Sequence, residues 1–132
     1  MGREEIVEDE KMLTWRFMLR KYLETEHRER RDSEEYKNLI FGAVENYFLD
    51  HLENRGYNIY IVRPDRSEAN AIARRIENSE AIHNSAYAKE MFGWIKGFFD
   101  FVGRYLRWES NPLENVMPPR SDVIFKRCHK VG

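Results

Sequence analysis

The stretch SAYAKEMFGWIKGFFDFVGRYLRWESNPLENVMPPR, residues 85–120, carries the strongest structural pattern in the chain. Apolar and aromatic residues recur in it at helical spacing, which predicts a long helix over about 85–108. A polar connector with Pro112 follows, and Pro118-Pro119 comes near its end. Proline lacks the backbone N–H that a helix interior needs, so regular helix is not expected to continue through these positions. The stretch therefore predicts a long helix with one buried face, followed by an irregular exit.

The same periodicity predicts three further helices upstream, over about 3–30, 34–54 and 67–77. The first begins in an acidic extension, residues 1–11. The segment YNIYIV, 57–62, resembles a strand in composition, but a lone strand has no pairing partner in a helical chain. We therefore expect an extended connector there, with Ile59 and Ile61 filling the core. The predicted fold is all-α, a compact bundle of four to five helices.

Each predicted helix has an apolar stripe that should face the core. The large residues expected in these stripes include Trp15, Phe17, Leu19, Tyr22, Leu23, Tyr36, Leu39, Ile40, Val44, Phe48, Ile72, Ile76, Tyr87, Trp94, Ile95, Phe98, Val102 and Tyr105. Trp15, Trp94 and the pair Phe98-Phe99 could also stack on single-stranded bases, but their helical spacing favours the core. Gly93, Gly97 and Gly103 interrupt the long helix and would allow another helix to cross it closely.

Composition limits the function less than the fold. The chain has 132 residues and a formal net charge of −1, so charge alone does not indicate a nucleic-acid binder. Its single cysteine, Cys128, excludes an internal disulfide and fits a reducing compartment. Cys128 and His129 are only two adjacent ligand types, too few to predict a metal site. No apolar run approaches 18 residues, so we expect an intracellular, cytoplasmic protein that does not enter a membrane.

Four segments in order resemble the N-terminal core-binding domain of tyrosine recombinases, the phage integrase family, across about 12–120. LTWRFMLRKYLETE takes the place of the first helix and DSEEYKNLIFGAVENYFLDHLENRG that of the second. RPDRSEANAIARRIENS is similar to the third, although Ala69 or Ala71 stands where the family commonly has a larger residue. NSAYAKEMFGWIKGFFDFVGRYLRWESNPLENVMPPR resembles the fourth helix and its exit.

The resemblance implies a SAM-like fold and binding of double-stranded DNA in site-specific recombination and DNA integration. It also implies that further recombinase protomers can share the DNA. The family's catalytic Arg, Lys, His-x-x-Arg box and Tyr belong to a second domain, and His27 to Arg30 has the wrong spacing for that box. We therefore expect no enzyme activity, cofactor, metal or small-molecule substrate in this chain. Residues 121–132 would be a basic tail or the start of an interdomain linker, flexible without DNA.

In the resembled family the starts of the second and fourth helices approach DNA. Helix starts offer free backbone N–H groups and a partial positive charge to phosphate. The predicted DNA-binding residues at these starts are Arg31, Ser33, Tyr36, Lys37, Asn84, Ser85, Tyr87 and Lys89. The predicted contacts elsewhere are Arg66, Arg74 and Arg75 on the third helix, Lys96 on the fourth, and Arg120, Lys126 and Arg127 after it.

Simpler interpretations of these residues remain open. The serines and Asn84 can be plain helix caps, and the basic residues a solvated surface. Glu34, Glu35 and Glu90 lie beside the predicted contacts and would repel phosphate. Near-zero net charge also suits a helical protein-interaction or accessory module of a virus or mobile element without DNA binding. An enzyme is disfavoured, because no paired acids, metal ligands, glycine-rich phosphate loop or activated nucleophile occur at meaningful spacing.

Overall fold

The computed structural model describes residues 13–26, 34–54 and 60–129. Within these ranges the chain forms five helices and confirms the predicted all-α bundle. Helix α1 covers Trp15–Glu26. Helix α2 is α-helical over Glu34–Val44, π-helical over Glu45–Leu49 and α-helical again over Asp50–Asn54. Helices α3, α4 and α5 cover Arg66–Glu77, Ser85–Leu106 and Ser121–Cys128. The predicted acidic extension, residues 1–11, lies outside the described residues.

Helix α4 is the centre of the bundle and packs against α1, α2, α3 and α5. Its apolar face is fully buried at Ile95, Phe98 and Phe99. The ring of Phe48, from the π-helical part of α2, meets Phe99 edge to face with centroids 5.0 Å apart. Trp15 of α1 meets Phe48 in the same way at 4.8 Å. Edge-to-face contacts add to the free energy gained from burial alone, so this aromatic cluster joins three helices at the core.

Two helix starts carry side-chain caps. The Asp65 carboxylate accepts a hydrogen bond from the Glu68 backbone N–H at 2.8 Å, at the start of α3. The Asn84 side chain accepts one from the Tyr87 N–H at 3.1 Å, at the start of α4. Each cap satisfies a backbone donor that the first helical turn leaves unpaired. Asp65 and Asn84 are therefore the N-caps of α3 and α4.

The end of α4 reverses the chain through a residue in the left-handed region. Arg107 has φ 60°, and the Trp108 backbone N–H then bonds the Gly103 carbonyl at 2.8 Å. A Cβ added at Gly103 would lie 3.2 Å from the Trp108 ring, so the glycine leaves room for this reversal. Trp108 therefore packs back on α4 and on Trp15.

Three residues expected in the core are instead about half exposed. They are Phe17, Leu39 and Tyr105, at 50%, 47% and 49% exposure. Successive residues of a helix point about 100° apart, so a run of neighbouring apolar residues cannot all face one core. In α1 it is Met18, the neighbour of Phe17, that is fully buried. The ammonium group of Lys21 lies over the rings of both Phe17 and Tyr105.

The predicted extended connector is confirmed where the structure describes it. Tyr60 pairs with Thr14 in an isolated antiparallel bridge, and the Ile61 N–H bonds the Leu13 carbonyl at 3.0 Å. Ile61 is half-buried against the core. Ile59 lies outside the described residues. Within the part of the chain that the structure describes, no helix is both long and apolar enough to cross a membrane.

The expectation of a flexible C-terminal segment is wrong for residues 121–128. They form α5, which packs against α4 and buries Ile124 to 1% exposure. Val123, Ile124 and Phe125 are adjacent in sequence, so they show no helical period, and only Ile124 is fully inside. The assignment of residues 121–132 to an interdomain linker stays a prediction.

Candidate nucleic-acid interface

Trp94 brings the starts of α2 and α4 together. Its indole N–H donates to the Tyr36 hydroxyl at 3.2 Å, and the two rings meet edge to face with centroids 5.7 Å apart. The Tyr87 ring meets Trp94 in the same orientation at 5.9 Å. Tyr36 belongs to the first turn of α2 and Tyr87 to that of α4. The two helix starts that the sequence analysis singled out separately are therefore neighbours on one surface.

Each of these helix starts carries one lysine, Lys37 in the first turn of α2 and Lys89 two positions after Tyr87 on α4. We call the residues at the two starts the paired-start surface (Tyr36, Lys37, Asn84, Ser85, Tyr87 and Lys89). Lys37 is half-buried and Lys89 exposed. Neither has a hydrogen bond or ion pair with the part of the chain that the structure describes. Their ammonium groups can therefore meet an external anion without breaking an internal contact. Exposed carboxylates of Glu34 and Glu35 lie on the first turn of α2, and the exposed Glu90 follows Lys89 in the second turn of α4; all three lower the local positive potential.

Two predicted contacts cannot be placed, and two others have internal partners. Arg31 and Ser33 lie outside the described residues. Arg75 donates to the Tyr47 carbonyl at 3.1 Å and to the Glu68 carboxylate at 3.0 Å. Arg74 donates to the carbonyls of Met117 and Pro118. The guanidinium groups of Arg74 and Arg75 thus hold neighbouring parts of the chain. Their contact with DNA stays a prediction, but it would compete with these bonds.

Glu77 is the centre of the contacts that hold the C-terminal segment. Its side chain is 1% exposed and accepts from the Arg120 backbone N–H at 2.8 Å, from Nε at 3.0 Å and from Nη2 at 2.7 Å. Arg74 Nη1 lies 3.2 Å away on the other side. The hydrogen bonds from Arg120 hold the pKa of the Glu77 carboxyl below its ordinary value, although burial opposes them. Glu77 in turn raises the pKa of Arg120.

Arg127 completes the docking of α5. Its Nη1 donates to the Ile82 carbonyl and its Nη2 to the Glu77 carbonyl, each at 3.0 Å. Lys126, the neighbouring predicted contact, is exposed. Of the three predicted DNA contacts after α4, Arg120 and Arg127 therefore have structural partners, while Lys126 faces solvent. DNA binding by these residues stays a prediction.

Lys96 is exposed as expected, but its surroundings are acidic. It lines a groove beside α4 together with Asp100, Glu109 and Glu114. Three carboxylates around one ammonium group repel a phosphate backbone. Asn111 closes this region, since its amide donates to the Lys96 carbonyl at 2.8 Å. The groove makes Lys96 a weaker DNA candidate than Lys89.

A second cleft is lined by basic side chains, in contrast to the acidic groove around Lys96. Only one of its residues was among the DNA contacts predicted from the sequence. The cleft lies between the start of α3 and the loop after α4, and it is lined by Arg63, Pro64, Arg66, Asn70, Ser110, Asn111, Pro112, Asn115 and Val116. Arg66 is the predicted contact that the structure places here. Asn70 and Asn115 were not predicted, because nothing in the sequence indicates that residues so far apart line one cleft.

Comparisons of the chain with protein-family models, with curated proteins and with solved structures found no significant match. The similarity to the core-binding domain of tyrosine recombinases therefore rests on the sequence pattern.

Proposed function

We propose that the chain binds double-stranded DNA through the paired-start surface, in the manner of a recombinase core-binding domain, and that it has no strand-cleaving activity of its own. The observation that carries this proposal is the contact of Tyr36 and Tyr87 with Trp94. It gives one surface two helix starts, each with the partial positive charge of its backbone. Lys37 and Lys89, in the first turn of α2 and the second turn of α4, add full charges at these two helix starts.

Binding of this kind would be modest and sensitive to salt. Each phosphate contacted by a basic side chain contributes about 0.9 to the slope of log affinity against log salt on duplex DNA. Contacts from Lys37 and Lys89 alone would give a slope of roughly −2. The carboxylates of Glu34, Glu35 and Glu90 would reduce affinity most at low salt, where screening is weakest.

The test is fluorescence anisotropy on labelled duplex DNA at low salt, with Lys89→Glu and a matched control, Arg20→Glu. Both positions are exposed, and neither has a partner among the described residues, so both changes alter the charge equally. We expect Lys89→Glu to weaken binding several-fold or more and Arg20→Glu to change it little. Equal weakening by the two changes would mean that affinity depends on the net charge of the protein and not on the paired-start surface. Failure to bind up to about 1 mM, above the usual range of non-specific affinities, would refute DNA binding.

A second candidate function is a helical protein-interaction module. It is favoured by the internal engagement of Arg74, Arg75 and Arg120, and by the exposed rings of Phe17 and Tyr105. Such a module would give a stable complex or self-association in light scattering, together with no response to duplex DNA in the anisotropy experiment.

A further inference from the structure

The basic cleft beside the start of α3 has a volume of about 160 Å³. Among the residues that the structure describes, its polar lining consists of two arginines, three asparagines and a serine, with no aspartate or glutamate. Pockets for drug-sized ligands begin at about 300 Å³. A small anion therefore fits the cleft better than a base or a sugar would.

Arg63 is held in place on one wall of this cleft. Its Nη2 donates to the Ser110 backbone carbonyl at 3.0 Å and to the Ser110 hydroxyl at 3.1 Å. The guanidinium carbon lies 5.9 Å from the centroid of the Trp108 ring. A guanidinium carries five N–H donors, and these contacts use only Nη2. Because the group is already oriented, less conformational entropy is lost when the remaining donors bind an oxyanion.

Within the described residues, no ion pair neutralises the charge of the cleft. Five other arginines of the described residues pair with a carboxylate within 4.0 Å, namely Arg16, Arg74, Arg75, Arg104 and Arg120. Arg63 and Arg66 have no such carboxylate in the same part of the chain. Arg66 is exposed. Two uncompensated guanidinium groups around one small cleft produce a positive potential that attracts an anion.

We propose that this cleft binds a phosphate group. Arg63 and Arg66 would donate charge-assisted hydrogen bonds to its oxygens, and the amides of Asn70 and Asn115 would add neutral ones. Free inorganic phosphate and a backbone phosphate of duplex DNA share this chemistry. Binding of a DNA backbone phosphate rests on the proposed function, whereas binding of free phosphate does not. The cleft itself is independent of that proposal, because its residues lie outside the paired-start surface.

The probe is inorganic phosphate, titrated into the ¹⁵N-labelled full chain at constant ionic strength, with sodium chloride as the reference salt. We expect saturable shifts of the backbone and side-chain amide signals of Asn70 and Asn115. Arg66→Gln should weaken phosphate binding about tenfold, as expected for the loss of one hydrogen bond to a charged group. Arg20→Gln, an exposed arginine on α1, is the matched control and should bind like the wild type.

A second variant tests the role of orientation. Arg63→Lys keeps the positive charge but loses the fork geometry that bonds Ser110, so it should also bind phosphate more weakly. The spectrum of each variant shows directly whether it is folded. Shifts that stay linear with phosphate concentration, or an equal effect of Arg66→Gln and Arg20→Gln, would overturn the proposal.

The same variants separate this site from the DNA proposal. In a parallel titration, duplex DNA replaces inorganic phosphate as the probe. Saturable phosphate binding without duplex binding would support the cleft and contradict the proposed function. Duplex binding that depends on Lys89, with no saturable phosphate response, would support the proposed function and refute the cleft as a phosphate site.

Discussion

Replacing Glu77 with glutamine should detach the C-terminal helix from the bundle. Glutamine has the shape of glutamate, so the change removes the charge without opening a cavity. Its amide oxygen can accept the bonds that Oε2 accepts from Arg120, but its NH₂ group would then face the Arg120 Nη2 donor, which lies 2.7 Å from Oε1. Two donors would oppose each other inside the contact that fixes α5.

The size of the effect follows from the burial of Glu77. The carboxylate is 1% exposed, whereas the side chains of Arg74 and Arg120 are 32% and 48% exposed and can be hydrated once it is gone. The expected loss is therefore that of a hydrogen bond to a charged group, about 2–3 kcal/mol of unfolding free energy. It stays below the 3–5 kcal/mol typical when a fully buried pair loses one partner. At roughly 4 °C per kcal/mol, Tm should fall by about 8–12 °C.

The assay is urea unfolding followed by tryptophan fluorescence, with Glu26→Gln as the matched control. Glu26 also pairs with an arginine, Arg104 at 2.8 Å, but the two side chains are 38% and 65% exposed. Exposed pairs contribute about 0–1 kcal/mol, so the control should be nearly as stable as the wild type. Hydrogen exchange should show lost protection over residues 121–128 in Glu77→Gln. Equal stability of the two variants, or unchanged protection of α5, would refute this role of Glu77.

Acid should reduce the difference between wild type and Glu77→Gln. The folded pKa of Glu77 lies below its ordinary value of 4.5, so its contribution is fully present above that value. It is lost as pH falls through the lower, folded pKa, because the folded protein then gains the proton. The variant has no carboxyl at this position and should lose less stability over the same range.

Two further predictions concern packing, and both are measured as unfolding free energies in urea. Gly93→Ala should stabilise the protein by up to about 1 kcal/mol, because nothing lies within 4 Å of the added methyl group. Gly97→Ala should instead cost about 1–3 kcal/mol of unfolding free energy, because its Cβ would lie 2.8 Å from the hydroxyl of the buried Tyr22. An equal gain in stability for the two variants would mean that α1 does not cross α4 at Gly97. Ile124→Ala should cost about 2–4 kcal/mol and the exposed Phe125→Ala less than about 1, whereas equally small effects would mean that α5 is not docked.

Local signals in the sequence were sufficient for most of the helices. Alternation of apolar and polar residues placed α3 and α4 within one or two residues, because amphipathic periodicity and capping chemistry act over a few neighbouring positions. Asp65 and Asn84 are examples, since each caps a donor only three residues away. The core positions of α3 were also predicted from the pattern alone, and Ile72 and Ile76 are fully buried.

The candidate site was predicted only as separate pieces. The sequence singled out Tyr36 and Tyr87 at two helix starts, but their contact through Trp94 depends on how α2 crosses α4. Likewise, nothing near Arg66 indicates that Asn115 lines the same cleft. Side chains that meet across distant segments leave no periodic signal in the sequence. The sequence could therefore indicate candidate residues, but not which of them lie together in the folded protein.

By itself, the sequence determined the helical class, the order of the helices and most of the residues that face the core. Only the tertiary structure decided which basic residues have internal partners. Arg120 and Lys126 look alike in the sequence, yet one binds a buried carboxylate 43 positions away and the other is in solvent. The physical reason is that helix formation and capping are local, whereas an ion pair requires two distant segments to meet, and that meeting is set by the packing of the whole bundle.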